Sequence, residues 1–172
     1  NILAAINVAL LLKIPTKEIS GRLYTFKGVE HRIEYVANLN NVKYYNDSKA
    51  TNIDSVIAAI NSFESPITLI LGGLDKGADF KALRKIVKKK KISIVAYGSA
   101  AERISKTLRD AANLFLTDKL KEAIEISNKV THPGEIVLLS PGCASYDQFL
   151  NFEERGMFFK QTVKAFAIAW PT

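Results

Sequence analysis

Apolar residues recur at Ile2, Ile6, Ala9 and Leu10, the spacing of one helical face, and Pro15 ends that run before Thr16 opens a second short helix toward Leu23. Two extended runs follow, residues 33–39 and 42–45, separated by Asn40-Asn41. Asparagine tolerates the left-handed backbone of a tight turn, so this dipeptide predicts a β-hairpin. From Thr51 the pattern becomes a regular alternation of helices and short apolar strands. Ile53, Val56, Ile57 and Ile60 share a helical face behind Thr51 and Asp54, which read as a capping box. Residues 67–71 read as a buried strand ending in Gly72-Gly73, and a helix from about Asp79 turns Phe80, Leu83 and Val87 inward. Residues 92–97 form the next predicted strand, and Ser99 with Glu102 reads as an S-x-x-E capping box. The cycle continues with a strand at 113–117, a helix carrying Leu120, Ala123 and Ile124, a strand at 136–139, and a last helix carrying Phe158, Phe159, Val163 and Phe166.

Strands that lack polar alternation and are separated by helices are buried on both faces. The expected fold is therefore α/β: a Rossmann-like, doubly wound, mostly parallel sheet with a β-hairpin near its start. At 172 residues, 48% of them hydrophobic, the chain suffices for one domain with a real core. Lys13 interrupts the opening apolar run, and no stretch approaches the roughly 20 apolar residues of a membrane span, so a soluble protein with no membrane partner is expected. A single cysteine, Cys143, excludes an internal disulfide and fits a reducing cytoplasm. The chain opens inside a predicted helix without an initiator methionine or leader, which points to an excised piece of a longer protein. A net charge of +7 admits nucleic-acid binding, but the lysines at 88–91 sit at a predicted helix end, where cations complement the helix dipole. No aromatic and basic interleaving suggests a base-stacking groove, and no nucleic-acid partner is expected.

In open parallel sheets, ligands bind beyond the carboxyl ends of the strands. Three loops there are chemically loaded: residues 46–52 (NDSKATN), 72–79 (GGLDKGAD) and 140–147 (SPGCASYD). Each combines small residues with hydroxyls, amides or a lysine and leads toward a helix amino-terminus, a setting that attracts anions. Lys49 and Lys76 add mobile charge without a Gly-rich phosphate signature, so a small dicarboxylate suits the loops at least as well as a nucleotide phosphate. Against this stands a plainer reading, in which the glycines are turn chemistry, Asp47 caps a turn and the lysines are solvated. Cys143 reads as a buried small hydrophobe, with no histidine near it in sequence to activate it. His31 and His132 lack partners at ligand spacing, so no protein-held metal is expected. Phe149, Phe158 and Phe159 read as core, Phe152 alone as a pocket candidate, and residues 151–156 as a salt-bridged helix start.

Four segments, TFKGVEHR at 25–32, NDSKATN, LGGLDKGADF at 71–80 and LSPGCASYDQFLNFEERG at 139–156, closely resemble the D-glutamate-adding branch of the Mur ligases. The likeness covers nearly the whole chain. It is specific, because Mur ligases for other amino acids and the folylpolyglutamate synthetases carry different residues at the NDSKATN position. The resemblance implies a three-domain ligase whose first domain holds a UDP-sugar, whose central domain holds ATP and whose last domain supplies D-glutamate. Residues 1–21 would be the helical tail of the central ATP-binding domain and residues 22–172 the carboxy-terminal domain. Its partners would be D-glutamate, ATP, UDP-N-acetylmuramoyl-L-alanine and the chain's own amino-terminal and central domains. ATP and magnesium would be held mainly by the central domain, since no G-x-x-x-x-G-K-[ST] loop occurs here, and this piece alone is expected to be inactive.

By the same resemblance, Lys49, Thr51, Lys76, Ser145, Tyr146 and Phe152 would form the D-glutamate pocket, with Lys76 and Ser145 meeting carboxylates. Asn1, His31, Arg32 and Asp47 match positions near ATP, and the loop holding His31 and Arg32 would be the hinge of domain closure. Gly142 stands where the family often has alanine. Two other readings stay open. One is a free-standing Rossmann-like module for a nucleotide or anion, although no G-x-G-x-x-G follows the first strand; the other is a ligase of the same fold using a different amino acid.

Overall fold

Asn40 and Asn41 both adopt left-handed backbone, with φ of 51° and 63°, and close an antiparallel pair between β1 (Glu34–Leu39) and β2 (Val42–Asn46) in which Leu39 faces Val42. In this computed structural model, which describes residues 2–26 and 28–169, β2 pairs in parallel with β6 (Ile136–Gly142). Strand β6 in turn pairs with β3 (Ile67–Gly72), β3 with β4 (Ser93–Tyr97), and β4 with β5 (Asn113–Thr117). The sheet order is β1-β2-β6-β3-β4-β5, antiparallel only at the hairpin edge. The expected α/β architecture with a mostly parallel sheet is the one observed.

Every residue of β3 and β6 is buried, because both faces of the sheet are covered. On one face lie α3 (Ile53–Asn61), a 3-10 turn (Phe80–Leu83) that runs into α4 (Arg84–Lys90), and α5 (Ala101–Leu108). Their Val56, Ile60, Phe80, Leu83, Val87 and Ile104 pack against Leu69, Leu71, Ile94 and Leu138. The other face is covered by α6 (Leu120–Val130) and α7 (Phe152–Ala169), whose Leu120, Ile124, Phe159 and Val163 meet Ile70, Val95, Val137 and Leu139. Neighbours such as Leu69 and Ile70 thus serve opposite layers, as the two-residue period of a strand requires. Each such side chain contributes roughly 1.5–3 kcal/mol when fully buried, and apolar residues at every position follow from that.

From β3 to β5 the chain steps outward along the sheet; α6 then crosses the opposite face and β6 returns to the middle, between β2 and β3. The loops leaving β2 and β3 therefore lead to helices on one face, and the loop leaving β6 leads to α7 on the other. Such a reversal opens a crevice at the carboxyl ends of the central strands.

Two helix starts differ from expectation. Asn52, not Thr51 with Asp54, caps α3: its backbone is extended and its side chain accepts the Ser55 N–H at 2.9 Å, which leaves Thr51 outside the helix. Ser99 lies within a 3-10 turn, Gly98–Ala100, that precedes α5, so its hydroxyl is turned away from the helix end and donates to the Gly73 carbonyl at 3.0 Å. In the lysine run, Lys90 bonds the Ile60 and Phe63 carbonyls at 3.2 and 2.5 Å, supplying donors at the carboxyl end of α3.

Helices α1 (Ile2–Leu11) and α2 (Thr16–Thr25) form a hairpin with no buried residue, and Leu3 and Leu11 are 76% and 82% exposed. The division expected after Gly21 falls inside α2, and Asn1 lies outside the described residues. Among the described residues no helix is long and apolar enough to cross a membrane.

Close approach of the β3 and β4 ends requires a glycine. Gly72 has φ of 142°, and a Cβ there would overlap the Tyr97 carbonyl oxygen, whereas Gly77, at φ 88°, has open space around it. In chemical unfolding, Gly72→Ala is expected to lose more than about 3 kcal/mol. Gly77→Ala, which carries left-handed strain alone, is expected to lose about 1–2 kcal/mol.

Candidate functional site

The three loaded loops leave the adjacent strands β2, β6 and β3, and backbone bonds lock them to one another. Gly142 donates to the Ala50 carbonyl at 2.9 Å, Leu74 to that of Ala144 at 2.9 Å, and Asp47 to that of Leu139 at 2.7 Å. Between the loops lies a crevice of about 410 Å³ whose lining includes Thr51, Asp54, Lys76, Asp79, Cys143 and Ala144. Asp75 shapes the loop that carries Lys76. Its Oδ1 accepts the N–H groups of Gly77 and Ala78 at 2.8 and 3.1 Å, and its Oδ2 pairs with Arg103 Nε at 2.7 Å. Lys76 itself is exposed, with Nζ 5.1 Å from the Tyr146 ring centroid. Such an exposed cation–π contact is worth about 0.5–1 kcal/mol, little enough for an anionic ligand to displace.

A second group stands beside the segment that joins the hairpin to the sheet. Lys49 Nζ lies 5.3 Å from the Phe152 ring centroid, and His31 meets the same ring edge-on at 6.0 Å. The six residues expected for one pocket are thus divided, with Thr51 and Lys76 lining the crevice, Tyr146 against Lys76, and Lys49 and Phe152 near His31. Ser145 is buried and is not among the crevice's lining residues; its carbonyl accepts the Gln148 and Phe149 N–H groups and forms the turn ahead of α7.

Asp47 uses both oxygens internally, accepting the Ile33 N–H at 3.2 Å and the Ser140 hydroxyl at 2.8 Å. Burial pushes its carboxyl up to about 6, against the lowering effect of those bonds and of the Arg32 guanidinium. Arg32 is exposed and lines a larger apolar groove, about 650 Å³, against the α1–α2 hairpin. Burial, reinforced by the charges of Asp75 and Asp147, pushes the Cys143 thiol up to about 12, which suits a packing role and not a nucleophile. Asp147 accepts the Ser99 N–H at 3.4 Å through Oδ2, and its buried Oδ1 has no partner among the described residues. Glu30, His31 and Glu34 come together in a manner that could hold a cation, but Lys160 Nζ already sits 2.5 Å from Glu30 Oε1 and 3.0 Å from Glu34 Oε1.

Sequence reasoning missed Arg155, which was expected in a salt-bridged helix start. Asn151 and Glu154 do organise that start: Asn151 Oδ1 accepts the Glu154 N–H and Glu154 Oε2 accepts the Leu150 N–H, both at 2.7 Å. Arg155 instead turns inward, fully buried, and donates to Ser48 Oγ and O at 2.9 and 2.8 Å and to the Cys143 carbonyl at 3.1 Å. Its place on the apolar face of α7, three residues after Phe152 and four before Phe159, was the available signal. Gly142, where the family often has alanine, is set by the core packing behind it. A Cβ there would press Val56, Ile53 and Leu71 in the core, so the missing side chain faces inward from the crevice floor.

Fold and crevice together define an α/β domain that offers a lysine, a hydroxyl and carboxylates at its sheet switch. Its sequence matches the family described as Mur ligase, glutamate ligase domain, over residues 31–143, and the chain belongs to that family. It is 47% identical over 167 residues to the UDP-N-acetylmuramoylalanine–D-glutamate ligase of Caldanaerobacter subterraneus subsp. tengcongensis, covering 95% of this chain and 37% of the relative. The enzyme of the same name from Clostridioides difficile is 45% identical over 165 residues, with the same two coverages. The chain thus spans 37% of the length of these curated relatives. Among solved structures, the UDP-N-acetylmuramate-alanine ligase of Thermotoga maritima aligns with a TM-score of 0.71 at 13% identity, covering 98% of this chain and 37% of that one. A pseudomurein peptide ligase type C from Methanothermus fervidus gives 0.69 at 17%, covering 96% and 35%. These two likenesses concern the fold. The family match does not favour a free-standing nucleotide- or anion-binding module.

Two stability measurements test this arrangement. Arg155→Met leaves buried carbonyls without donors at about 1–3 kcal/mol each, so urea unfolding is expected to show a loss of about 2–5 kcal/mol. Asp47 has its folded pKa raised to about 6 from 3.8, so between these values the folded state binds more protons than the unfolded state. Its contribution therefore makes stability fall as pH rises from about 4 to 6, by about 3 kcal/mol in all. Asp47→Asn keeps both hydrogen bonds available and is expected to flatten that part of the stability profile; an unchanged slope would assign it to other groups.

Proposed function

We propose that this chain is the amino-acid-binding domain of a cytoplasmic, ATP-dependent ligase that adds D-glutamate to UDP-N-acetylmuramoyl-L-alanine during peptidoglycan synthesis. The observation that carries this reading is the crevice at the sheet switch, where Thr51 and Lys76 share a lining with Asp54 and Asp79. A nucleotide phosphate calls for donors alone. D-glutamate brings two carboxylates and an ammonium group, and a lining of both signs suits it better.

In this reading Lys76 pairs with one carboxylate and the Thr51 hydroxyl donates to the ligand, while Tyr146 backs the Lys76 ammonium and the buried Ser145 forms the turn next to it. Lys49 and Phe152 lie on the side from which the activated carbonyl approaches. When bound, ATP supplies the phosphoryl group that turns the carboxylate of UDP-N-acetylmuramoyl-L-alanine into an acyl phosphate. The chain's own part is to hold D-glutamate so that its amine meets that carbonyl carbon; phosphate leaves and an amide remains. Positioning of this kind can lower a barrier by about 7–11 kcal/mol without any catalytic base from the domain.

Magnesium would accompany the ATP phosphates on the central domain, because the Glu30, His31 and Glu34 cluster already holds the Lys160 ammonium. The exposed apolar face of the α1–α2 hairpin supports its assignment, through residue 21, to that preceding domain. Asn1, His31, Arg32 and Asp47 would then be the positions near the nucleotide.

The full-length ligase carrying this chain is expected to release phosphate from ATP with D-glutamate, and not with L-glutamate, meso-diaminopimelate or L-lysine. Lys76→Ala should raise the KM for D-glutamate about 10- to 100-fold through loss of a charge-assisted bond worth about 1.5–3 kcal/mol. Preference for another amino acid, or turnover by the 172-residue chain alone, would refute the assignment.

A further inference from the structure

The segment joining the helical hairpin to the sheet carries backbone strain. His31 and Ile33 are both left-handed, with φ of 61° and 46°. Conformations of this sort are strained and persist only where the surroundings over-determine them. Here Glu34 Oε2 accepts the His31 N–H at 3.0 Å, the Lys49 N–H donates to the His31 carbonyl at 3.1 Å, and Asp47 Oδ1 accepts the Ile33 N–H at 3.2 Å. A fourth restraint acts on the imidazole.

Asn46, fully buried at the end of β2, has an amide whose orientation its neighbours fix. Oδ1 accepts the Ser48 N–H at 3.1 Å, so the other amide atom is the NH2 group, and it donates to Glu34 Oε2 at 3.0 Å. A flipped amide would set oxygen against carboxylate and N–H against N–H. One amide proton goes to Glu34. The second is aimed at His31 Nδ1, 3.0 Å away, which must accept it. In a neutral imidazole an accepting Nδ1 leaves the proton on Nε2. Nε2 lies 3.8 Å from Glu30 Oε1, beyond hydrogen-bond length, and that carboxylate is already held by Lys160. Gly156 keeps this place open on α7, since a Cβ there would overlap His31 Nδ1.

We propose that Asn46 is a positioning residue: it holds neutral His31 as the Nε2–H tautomer, so that the strained joint offers one N–H donor to an oxygen of the nucleotide. The identity of that acceptor rests on the ligase reading; the tautomer does not.

The chain has two histidines, so His132→Gln assigns the His31 ring signals of the nitrogen-15-labelled protein directly. Long-range proton–nitrogen correlation is expected to show a pyridine-type Nδ1 and a pyrrole-type Nε2. Asn46→Asp, which places an acceptor opposite Nδ1, should invert that pattern, and Asn46→Ala should average it toward the mixture of a free imidazole. A pyrrole-type Nδ1 in the unsubstituted chain overturns the proposal, whether or not either variant folds; so does a pattern that both substitutions leave untouched. In the full-length ligase, Asn46→Ala is expected to raise the KM for ATP about tenfold, the loss of one hydrogen bond, with that for D-glutamate held within about twofold. An unchanged KM for ATP removes the positioning role and leaves the ligase reading standing. Absence of D-glutamate ligation by the unsubstituted enzyme does the reverse: it refutes the reading while the ring spectrum still decides the tautomer.

Discussion

A guanidinium with no exposed surface ties two of the three site loops, those leaving β2 and β6, to the end of β4. Arg155 reaches Ser48 with Nε and Nη2, and its Nη1 lies 3.1 Å from the Cys143 carbonyl and 3.5 Å from the Tyr97 hydroxyl. These acceptors are neutral and come from the ends of β2, β6 and β4. Burying an ion costs several kcal/mol, so the arrangement is stable only while every arm of the fork keeps its oxygen. Movement of any one loop would strand a buried charge. Gly73 is a condition of this contact, because a Cβ there would overlap the Ala144 carbonyl and press Arg155 Nη1. The Ser48 hydroxyl extends the link by donating to the Phe152 carbonyl at 2.8 Å.

Helix α7 carries that constraint toward the joint with the helical hairpin. Arg155, Gly156 and Lys160 follow Phe152 by three, four and eight residues along it, so all four share one side, and each meets the β2 loop or the segment at 30–34. Phe152 touches Lys49 and His31, Gly156 leaves room for the imidazole, and Lys160 holds Glu30 and Glu34. Hydrogen bonding to Lys160 depresses the Glu30 carboxyl. Lys160 itself is raised, the bonds to Glu30 and Glu34 outweighing burial. One rigid helix therefore fixes both the floor of the site and the place where the chain enters the sheet.

The sheet was legible in the sequence because two-sided burial leaves a one-dimensional trace. Residues 67–71, but for Thr68, and 136–139 are apolar without alternation, and Asn40-Asn41 marks the hairpin through its own backbone preference. The three loops of the candidate site were legible for a related reason: a parallel sheet places its loaded loops at strand ends. What escaped was the wiring between them. Thr51 with Asp54 satisfies the capping pattern, but Asn52 sits one residue closer to the helix and takes the cap. Ser99 has the spacing of a capping residue and serves the Gly73 carbonyl instead. Arg155 and Asn46 act through partners 107 and 15 positions away, respectively, and no local pattern encodes such distances. Ser145 was a candidate by motif, yet it is buried in the turn ahead of α7, where its carbonyl accepts the Gln148 and Phe149 N–H groups.

A division of labour follows from burial. Lys49, Thr51, Lys76 and Tyr146 are exposed, and the contacts of the two lysines are weak ones to aromatic faces. Asn46, Asp47, Ser48, Ser140 and Arg155 are buried, and each bonds across at least two elements. Groups that meet a ligand remain free to exchange one partner for another, while those that set their positions cannot do so without orphaning a buried donor or acceptor. Under the proposed function, substitutions in the exposed set therefore retune which amino acid is accepted while the fold stays intact. The same chemistry applied to the buried set acts first on stability, and through stability on every loop at once.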